Sequence, residues 1–261
     1  MNLKFSSSKL PQIIDSYTDS VPNDTIRIAF KEFVGQPLPY RKQFLQSEFI
    51  KAFDGYSFIG QEDSLNQYST DMLHSFVLSE FTDAEKFPKE FQLFIKEDFP
   101  RLKQQVQAFE LECLDHLGNS ELKTVYEENF GHMVSCNYYP KPSDCNVVGF
   151  NETRLSNHVD VSLFSVFPCG LKEGLSYLNN QTETITLGTK QTMFGFAGYG
   201  LEMLSQGSVT ALKHQVDLPK QLDEERFSMA FFSIPKPDAS FTFLGKHYNA
   251  KDYYSDYLNL F

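Results

Sequence analysis

Three separated signals, read in chain order, hold the residues best suited to chemistry: His158-Val159-Asp160, then His214, then Arg226-Phe227-Ser228. Two histidines and one carboxylate are the ligand set of a facial iron(II) site with open coordination positions. The Arg and Ser that follow offer a fork of donors suited to a carboxylate. A metal with vacant positions followed by an anchor for a dicarboxylate suggests oxygenase chemistry with 2-oxoglutarate.

Such residues must be aimed by strands. Side chains alternate faces along a strand, so residues i and i+2 point the same way. His158 and Asp160 form such a pair, as do Arg226 and Ser228, and Asn137 and Tyr139 in Ser135-Cys136-Asn137-Tyr138-Tyr139-Pro140. His214 shares a face with Ser208, Thr210, Leu212 and Val216 if 208–216 is one strand. Four strands would then direct polar groups into one interior, where they cost free energy unless paired or ligated. An HxD pair, a lone histidine or an RxS pair is by itself a common feature of ordinary surfaces and cores. Order and strand context make the case. His74, His116, His132 and His247 read as structural, with His132 a candidate for the mouth of the cavity.

The chain changes texture along its length. Up to about residue 125 the pattern is mainly helical, clearest over 98–117, where Leu102, Val106, Phe109, Cys113 and Leu117 make one apolar stripe. Asp98 is the expected N-cap, with Pro100 in the first turn and Gly118 the stop. Further helices are expected over 23–34 and 69–78, and a short strand or turn over 53–60. From residue 130 the pattern becomes short β-type runs, over 132–139, 157–167, 175–178, 182–187, 191–196, 208–216 and 226–234, which is the texture of a sandwich or barrel. No linker separates the halves. One domain over 1–261 is expected, with a helical N-terminal part (1–125), a β core (126–248) and a short C-terminal tail (249–261).

Composition narrows the partners. A net charge of −11 argues against nucleic acid and anionic membranes. No apolar run approaches the length of a membrane span, and the first residues carry no secretory signal. Cys113, Cys136, Cys145 and Cys169 are scattered without a metal-binding spacing, so a reducing, cytoplasmic setting is expected. A monomer is the expected state.

Taken together, the motifs resemble the isopenicillin N synthase-like branch of the iron(II)- and 2-oxoglutarate-dependent dioxygenases. Leu10-Pro11-Gln12-Ile13-Ile14-Asp15 looks like that family's opening, and Phe53-Asp54-Gly55-Tyr56 is similar to its early F-x-G-Y/F element. Asn137-Tyr138-Tyr139-Pro140 matches its N-Y-Y-P strand, and Asn157-His158-Val159-Asp160 its HTD strand. The stretch from Gly200 to Gly207 and on to His214 resembles G-x-x-L-E-x-x-S-N-G…H-R-V, and Arg226–Phe232 resembles R-x-S-x-x-F-F. The resemblance implies a mainly β fold with flanking helices, built on a distorted double-stranded β-helix, or jelly roll. It implies His158, Asp160 and His214 as ligands of Fe(II). It implies 2-oxoglutarate and O2 as cosubstrates, with Arg226 and Ser228 on the distal carboxylate of 2-oxoglutarate and Asn137 and Tyr139 against the same molecule. Tyr56, Phe58, Tyr138, Phe164 and Phe232 become candidate walls of the substrate pocket.

Departures from the pattern also matter. Gln215 stands where the family often has Arg, and the chain ends soon after its last core strand, which predicts a lid smaller than the C-terminal helix of many relatives, or one supplied from elsewhere. Asp160 argues against a halogenase, which usually lacks that carboxylate. The expected activity is oxidation of an unactivated C–H bond in a small molecule, by hydroxylation, ring closure or desaturation. Arg154, on His158's face if the strand begins that early, is a candidate partner for a substrate carboxylate, which would favour an amino-acid-derived or natural-product precursor. Two other readings stay open: an iron oxidase or cyclase of the isopenicillin N synthase type that uses no 2-oxoglutarate, and a non-catalytic jelly-roll binding protein.

Overall fold

The computed structural model describes residues 3, 5, 9–49, 53–59, 71–144, 153–179, 181–220 and 223–260. The elements run β1 (Ile14–Asp19), α1 (Asp24–Val34), α2 (Leu38–Arg41), β2 (Gly55–Ser57), β3 (His74–Ser79), α3 (Phe99–Leu117), α4 (Ser120–Asn129) and β4 (Phe130–Tyr139). They continue with β5 (Thr153–His158), β6 (Phe164–Phe167), β7 (Leu175–Leu178), β8 (Thr184–Thr186), β9 (Thr192–Ala197), α5 (Tyr199–Leu204), β10 (His214–Asp217), β11 (Arg226–Pro235), β12 (Ser240–Phe243), β13 (Lys246–Asn249) and α6 (Ala250–Leu258).

A seven-stranded sheet, β1-β9-β6-β11-β4-β3-β2, faces a four-stranded sheet, β5-β10-β7-β8, and β12-β13 form a separate hairpin. Every strand pair in the three sheets is antiparallel. This is the jelly-roll arrangement, with a cavity between the two sheets. The expected mainly β class with flanking helices is the class observed.

The large sheet is buried on both faces, and strand parity sorts its residues. Phe227, Met229 and Phe231 on β11, with Val134 and Cys136 on β4, turn to the helical side. There they meet Phe30 and Phe33 of α1 and the Leu102, Val106, Phe109, Cys113 stripe of α3. Rings dominate this layer: Phe33 packs edge-on against Phe76 at 5.3 Å, and Phe76 lies 4.7 Å from Phe91. The alternate residues of the same strands face the cavity. A strand with one helical face and one cavity face reads as a nearly continuous apolar run, which is why 226–234 shows weak alternation in sequence.

Several expected elements differ. The run 69–78 is not a helix: residues 69 and 70 lie outside the described residues, and His74–Ser79 is a strand between β2 and β4. A short apolar run is ambiguous between helix and strand, and here cross-strand pairing decides. The run 157–167 is two strands separated by a turn. Of 208–216, only the end from His214 is a strand. Asp98 does not cap α3, because the chain enters that helix directly from a π-helical turn, Phe94–Asp98. Gly118 does end it, in the left-handed conformation at φ 67°. The largest surprise lies at the C-terminus: the tail expected over 249–261 holds helix α6, capped by the Asn249 side chain accepting from the Asp252 amide.

Candidate active site

His158 ends β5 and His214 begins β10, and they are direct partners in the ladder between the two strands. Asp160 follows in the turn after β5. One ligand atom from each of the three lies within 4.8 Å of the others. His158 Nε2 stands 3.2 Å from Asp160 Oδ1, and His214 Nε2 3.9 Å from Oδ2. The other ring nitrogens are held from behind: His158 Nδ1 lies 2.7 Å from the Ser156 carbonyl and His214 Nδ1 3.2 Å from that of Leu212. A carbonyl accepts only from N–H, so Nδ1 of each ring carries a proton and Nε2 is the atom turned to the centre, the one a metal would take once any proton on it is released. Ser165 Oγ donates to Asp160 Oδ2 at 2.5 Å and also contacts Ser162 Oγ at 2.9 Å, so the carboxylate is oriented too.

Burial works to raise the Asp160 carboxyl, yet the charge of His214 and the hydrogen bond and charge of His158 bring it down to about 2. Burial takes His214 down to about 4. At His158 burial is outweighed by the Asp160 hydrogen bond and charge, and its protonation is held above the ordinary value. A buried carboxylate beside one buried and one half-buried imidazole, all aimed at one point, fits a divalent metal whose binding would release protons.

The large sheet supplies a second constellation on the same cavity, of about 220 Å³. Across β3, β4 and β11 the register sets Ser75, Asn137 and Ser228 in one row, with Tyr139 opposite Arg226 in the next. Arg226 Nη1 donates to Ser228 Oγ at 3.2 Å, and its guanidinium carbon lies 5.1 Å from the centre of the Tyr139 ring. Arg226 is buried, its Nε has no hydrogen-bond partner, and no carboxylate pairs with it among the described residues. Burial lowers its pKa from the usual value. An uncompensated buried cation is costly, so this geometry fits an anionic ligand. Histidines aside, Arg226 is the one cation lining the cavity among the described residues.

The sequence-derived candidates separate accordingly. His158, Asp160, His214, Arg226, Ser228, Asn137, Tyr139 and Phe232 all line the cavity. Tyr56, Phe58, Tyr138 and Phe164 do not: Phe164 is sealed in the helical-side core, and Tyr138 has the opposite parity from Asn137 and donates to Glu225 at 2.9 Å. Arg154 is also outside. It donates to the backbone carbonyls of Pro140 and Glu224, with its guanidinium carbon 5.9 Å from the centre of the Tyr139 ring. The reason is a register shift in β5: His158 pairs with His214, but Leu155 pairs with Val216. An irregularity of one residue flips the parity, so Leu155, not Arg154, shares the cavity with His158.

Gln46, Phe53, Ser75, Met133 and Tyr257 line the cavity and were not among the pocket residues expected from the sequence. Met133 has the parity of Asn137 and could have been found that way. Ser75 was hidden by the helical reading of 69–78, and nothing local marks Tyr257. His132 turns to the helical side, not the mouth: its Nε2 lies 2.7 Å from Glu110 and its Nδ1 3.7 Å from Glu80. His74 is stacked between Tyr56 and Tyr138, at 6.0 and 6.2 Å, and burial takes it down to about 4. Gln215, in the place of the family's Arg, donates to Asp217 at 2.8 Å.

Solved structures share this architecture. JOX2, crystallised with 2OG, Fe and JA, has a TM-score of 0.70 at 20% identity, over 94% of this chain and 77% of that one. A Caulobacter crescentus protein assigned to the 2OG-Fe(II) oxygenase family gives 0.70 at 15%, over 95% and 88%. A full-length Neurospora crassa protein in complex with alpha-KG gives 0.67 at 15%, over 92% and 84%. At such identities the likeness speaks to the fold. No curated protein matches the chain in sequence. The family model of the 2OG-Fe(II) oxygenase superfamily matches residues 130–235. That span carries the triad, Arg226 and Ser228, and the superfamily it matches is one of oxidoreductases that work with iron(II), 2-oxoglutarate and O2.

Proposed function

We propose that this chain couples oxidative decarboxylation of 2-oxoglutarate to oxidation of an unactivated C–H bond in a small molecule, and that it belongs to the isopenicillin N synthase-like branch. In the hydroxylation case the balance is 2-oxoglutarate, O2 and R–H giving succinate, CO2 and R–OH. The observation that carries the reading is Arg226: a buried guanidinium without a carboxylate partner, in one cavity with His158, Asp160 and His214. Iron(II) held by the triad supplies the O2 activation. The chain's own residues bind, orient and exclude water. Arg226 and Ser228 take the distal carboxylate of 2-oxoglutarate, and Asn137 and Tyr139 flank the same molecule. The apolar lining from Phe53, Val77, Met133, Ala230 and Phe232 keeps the reacting carbon in a dry part of the cavity.

Branch membership is supported by the order of the motifs from Leu10 to Phe232. The substrate is a small molecule, with hydroxylation, ring closure and desaturation all within reach of this chemistry. Because Arg154 stands outside the cavity, a carboxylate on the substrate has no evident cation among the described residues once Arg226 is engaged.

The test is O2 uptake by the iron(II)-loaded protein with and without 2-oxoglutarate, with succinate quantified. Succinate formed in step with O2 is the expected result. Uptake without succinate would instead identify an oxidase that needs no 2-oxoglutarate. No uptake, and no charge-transfer band on anaerobic addition of iron(II) and 2-oxoglutarate, would leave a binding protein.

A further inference from the structure

Asp160 sits in the turn 159–163, between β5 and β6 and outside both ladders. Backbone carbonyls in a buried turn need donors, and the sheets provide none here. The N-terminal end of α5 meets three of them through backbone amides: Tyr199 N donates to Asp160 O at 2.8 Å, Gly200 N to Ser162 O at 2.9 Å and Gly198 N to Leu163 O at 3.0 Å. The two that remain, on either side of Asp160, are met from α6. Tyr257 Oη donates to Val159 O at 2.8 Å, and Tyr253 Oη donates to Val161 O.

The two tyrosines are four residues apart and share one face of α6. Both rings pack on Tyr199, at 5.7 and 5.6 Å between centres, which joins α6 to the same helix end that holds the Asp160, Ser162 and Leu163 carbonyls. Gly200 keeps room for this contact: a Cβ there would stand 2.3 Å from the Tyr253 hydroxyl. Tyr254, between them, reaches elsewhere and donates to Pro235 O at 2.7 Å. Tyr257 also lines the cavity.

We propose that α6 is a C-terminal clamp on the metal-ligand turn, with Tyr253 and Tyr257 as positioning residues that fix the backbone on both sides of Asp160. This rests on the reading of His158, Asp160 and His214 as a metal centre. The clamp acts on one ligand of three, and it acts through backbone, so it sets where the carboxylate starts while Ser165 sets how it is turned.

The experiment compares the full chain with Tyr257→Phe, Tyr253→Phe and Tyr254→Phe. Each removes one hydroxyl from the same helix, but only the first two release carbonyls beside Asp160. Two quantities are read: the Co(II) dissociation constant, with the visible Co(II) spectrum, and hydrogen exchange of peptides covering 159–163 in the metal-free protein. Tyr257→Phe and Tyr253→Phe are expected to weaken metal binding about ten-fold, as loss of a group supporting a ligand does, and to speed exchange in the turn. Tyr254→Phe is expected to leave both at the wild-type value even where its melting temperature falls as far.

Wild-type affinity and exchange in Tyr257→Phe and Tyr253→Phe would overturn the clamp, as would an equal loss in Tyr254→Phe, which would mark general docking of the helix. Should Tyr253→Phe fail to fold, Tyr257→Phe decides, since that ring is only partly buried. If wild-type protein bound Co(II) no better than His214→Ala, the metal reading would fall, while the exchange data would still decide whether α6 holds the turn.

Discussion

His158 and His214 are partners across the β5–β10 ladder, with ring centres 4.6 Å apart and planes inclined at 49°. Two strands that place imidazoles opposite one another, with a carboxylate two residues beyond, need only the turn after β5 to close a three-ligand site. His214→Ala or Asp160→Ala should therefore reduce iron(II) affinity by more than the ~10–100-fold that follows loss of a supporting group, and should abolish 2-oxoglutarate turnover. Anaerobic iron titration followed by succinate measurement checks this. Retention of iron by Asp160→Ala would contradict it.

Arg226 is expected to carry the affinity for 2-oxoglutarate. Hydrogen bonds to a charged group contribute about 1.5–3 kcal/mol, so Arg226→Gln should raise the KM for 2-oxoglutarate roughly ten- to a hundred-fold. Arg226→Lys should recover only part, since an ammonium lacks the planar fork. Ser228→Ala should cost less than either. An unchanged KM in Arg226→Gln would mean that the carboxylate lies elsewhere.

Arg154 is expected to matter for stability and not for binding. It donates to the carbonyls of Pro140 and Glu224 from outside the cavity. Arg154→Ala should lower stability by about 1–3 kcal/mol through carbonyls left without a donor, with the KM values for 2-oxoglutarate and substrate unmoved. Thermal melts and steady-state kinetics on one preparation separate the outcomes; a selective rise in substrate KM would restore its binding role.

His132 makes stability depend on pH. It is packed against Glu110 of α3, Tyr126 of α4 and Glu80 after β3, and Lys103 of α3 reaches the same Glu80 carboxylate at 2.7 Å. Burial opposes its charge, but Glu110 and Glu80 raise it from 6.5 to about 9. Its stabilising contribution is thus full below about 6.5 and is lost as pH rises through about 9. Glu80, lowered from 4.5 to about 2 by His132 and Lys103 against its burial, contributes fully above 4.5 and loses that on acidification through about 2. Chemical denaturation should show wild-type stability falling between pH 6.5 and 9 by up to about 3 kcal/mol, and His132→Gln should be less stable at pH 6 and much flatter across that range. A wild-type curve as flat as the variant's would show that the imidazole does not carry a proton in the folded state.

Gly198 is expected to tolerate no side chain. A Cβ there would lie 2.3 Å from Ser162 O and 3.0 Å from Asp160 O. Gly198→Ala should cost about 1–3 kcal/mol as overpacking does, and it should also weaken metal binding because the displaced turn is the one bearing Asp160. Loss of stability with unchanged Co(II) affinity would show that the turn yields without moving its ligand.

Much of the site was legible in the linear chain, for a definite reason. Arg226 and Ser228, Asn137 and Tyr139 each lie in an uninterrupted stretch of strand, where a period of two assigns faces without further information. His158 and Asp160 were paired by the same rule, although Asp160 has left the strand and is aimed by hydrogen bonds from α5, α6 and Ser165 instead. Arg154 shows where the rule ends: one residue of irregular register in β5, set by pairing with β10, reverses the face.

The amino-acid sequence by itself determined the ligand types, their order, the strand texture that carries them and the helical stripe of α3, because these depend on local spacing. Tertiary structure alone decided that 74–79 is a strand, since a short apolar run takes its conformation from the neighbours it pairs with. It alone decided that a buried arginine would face the metal site without a carboxylate, and that the last helix would reach back about a hundred residues to hold Val159 and Val161. Those are contacts between distant segments, and no local period records which distant carbonyl a tyrosine hydroxyl will meet.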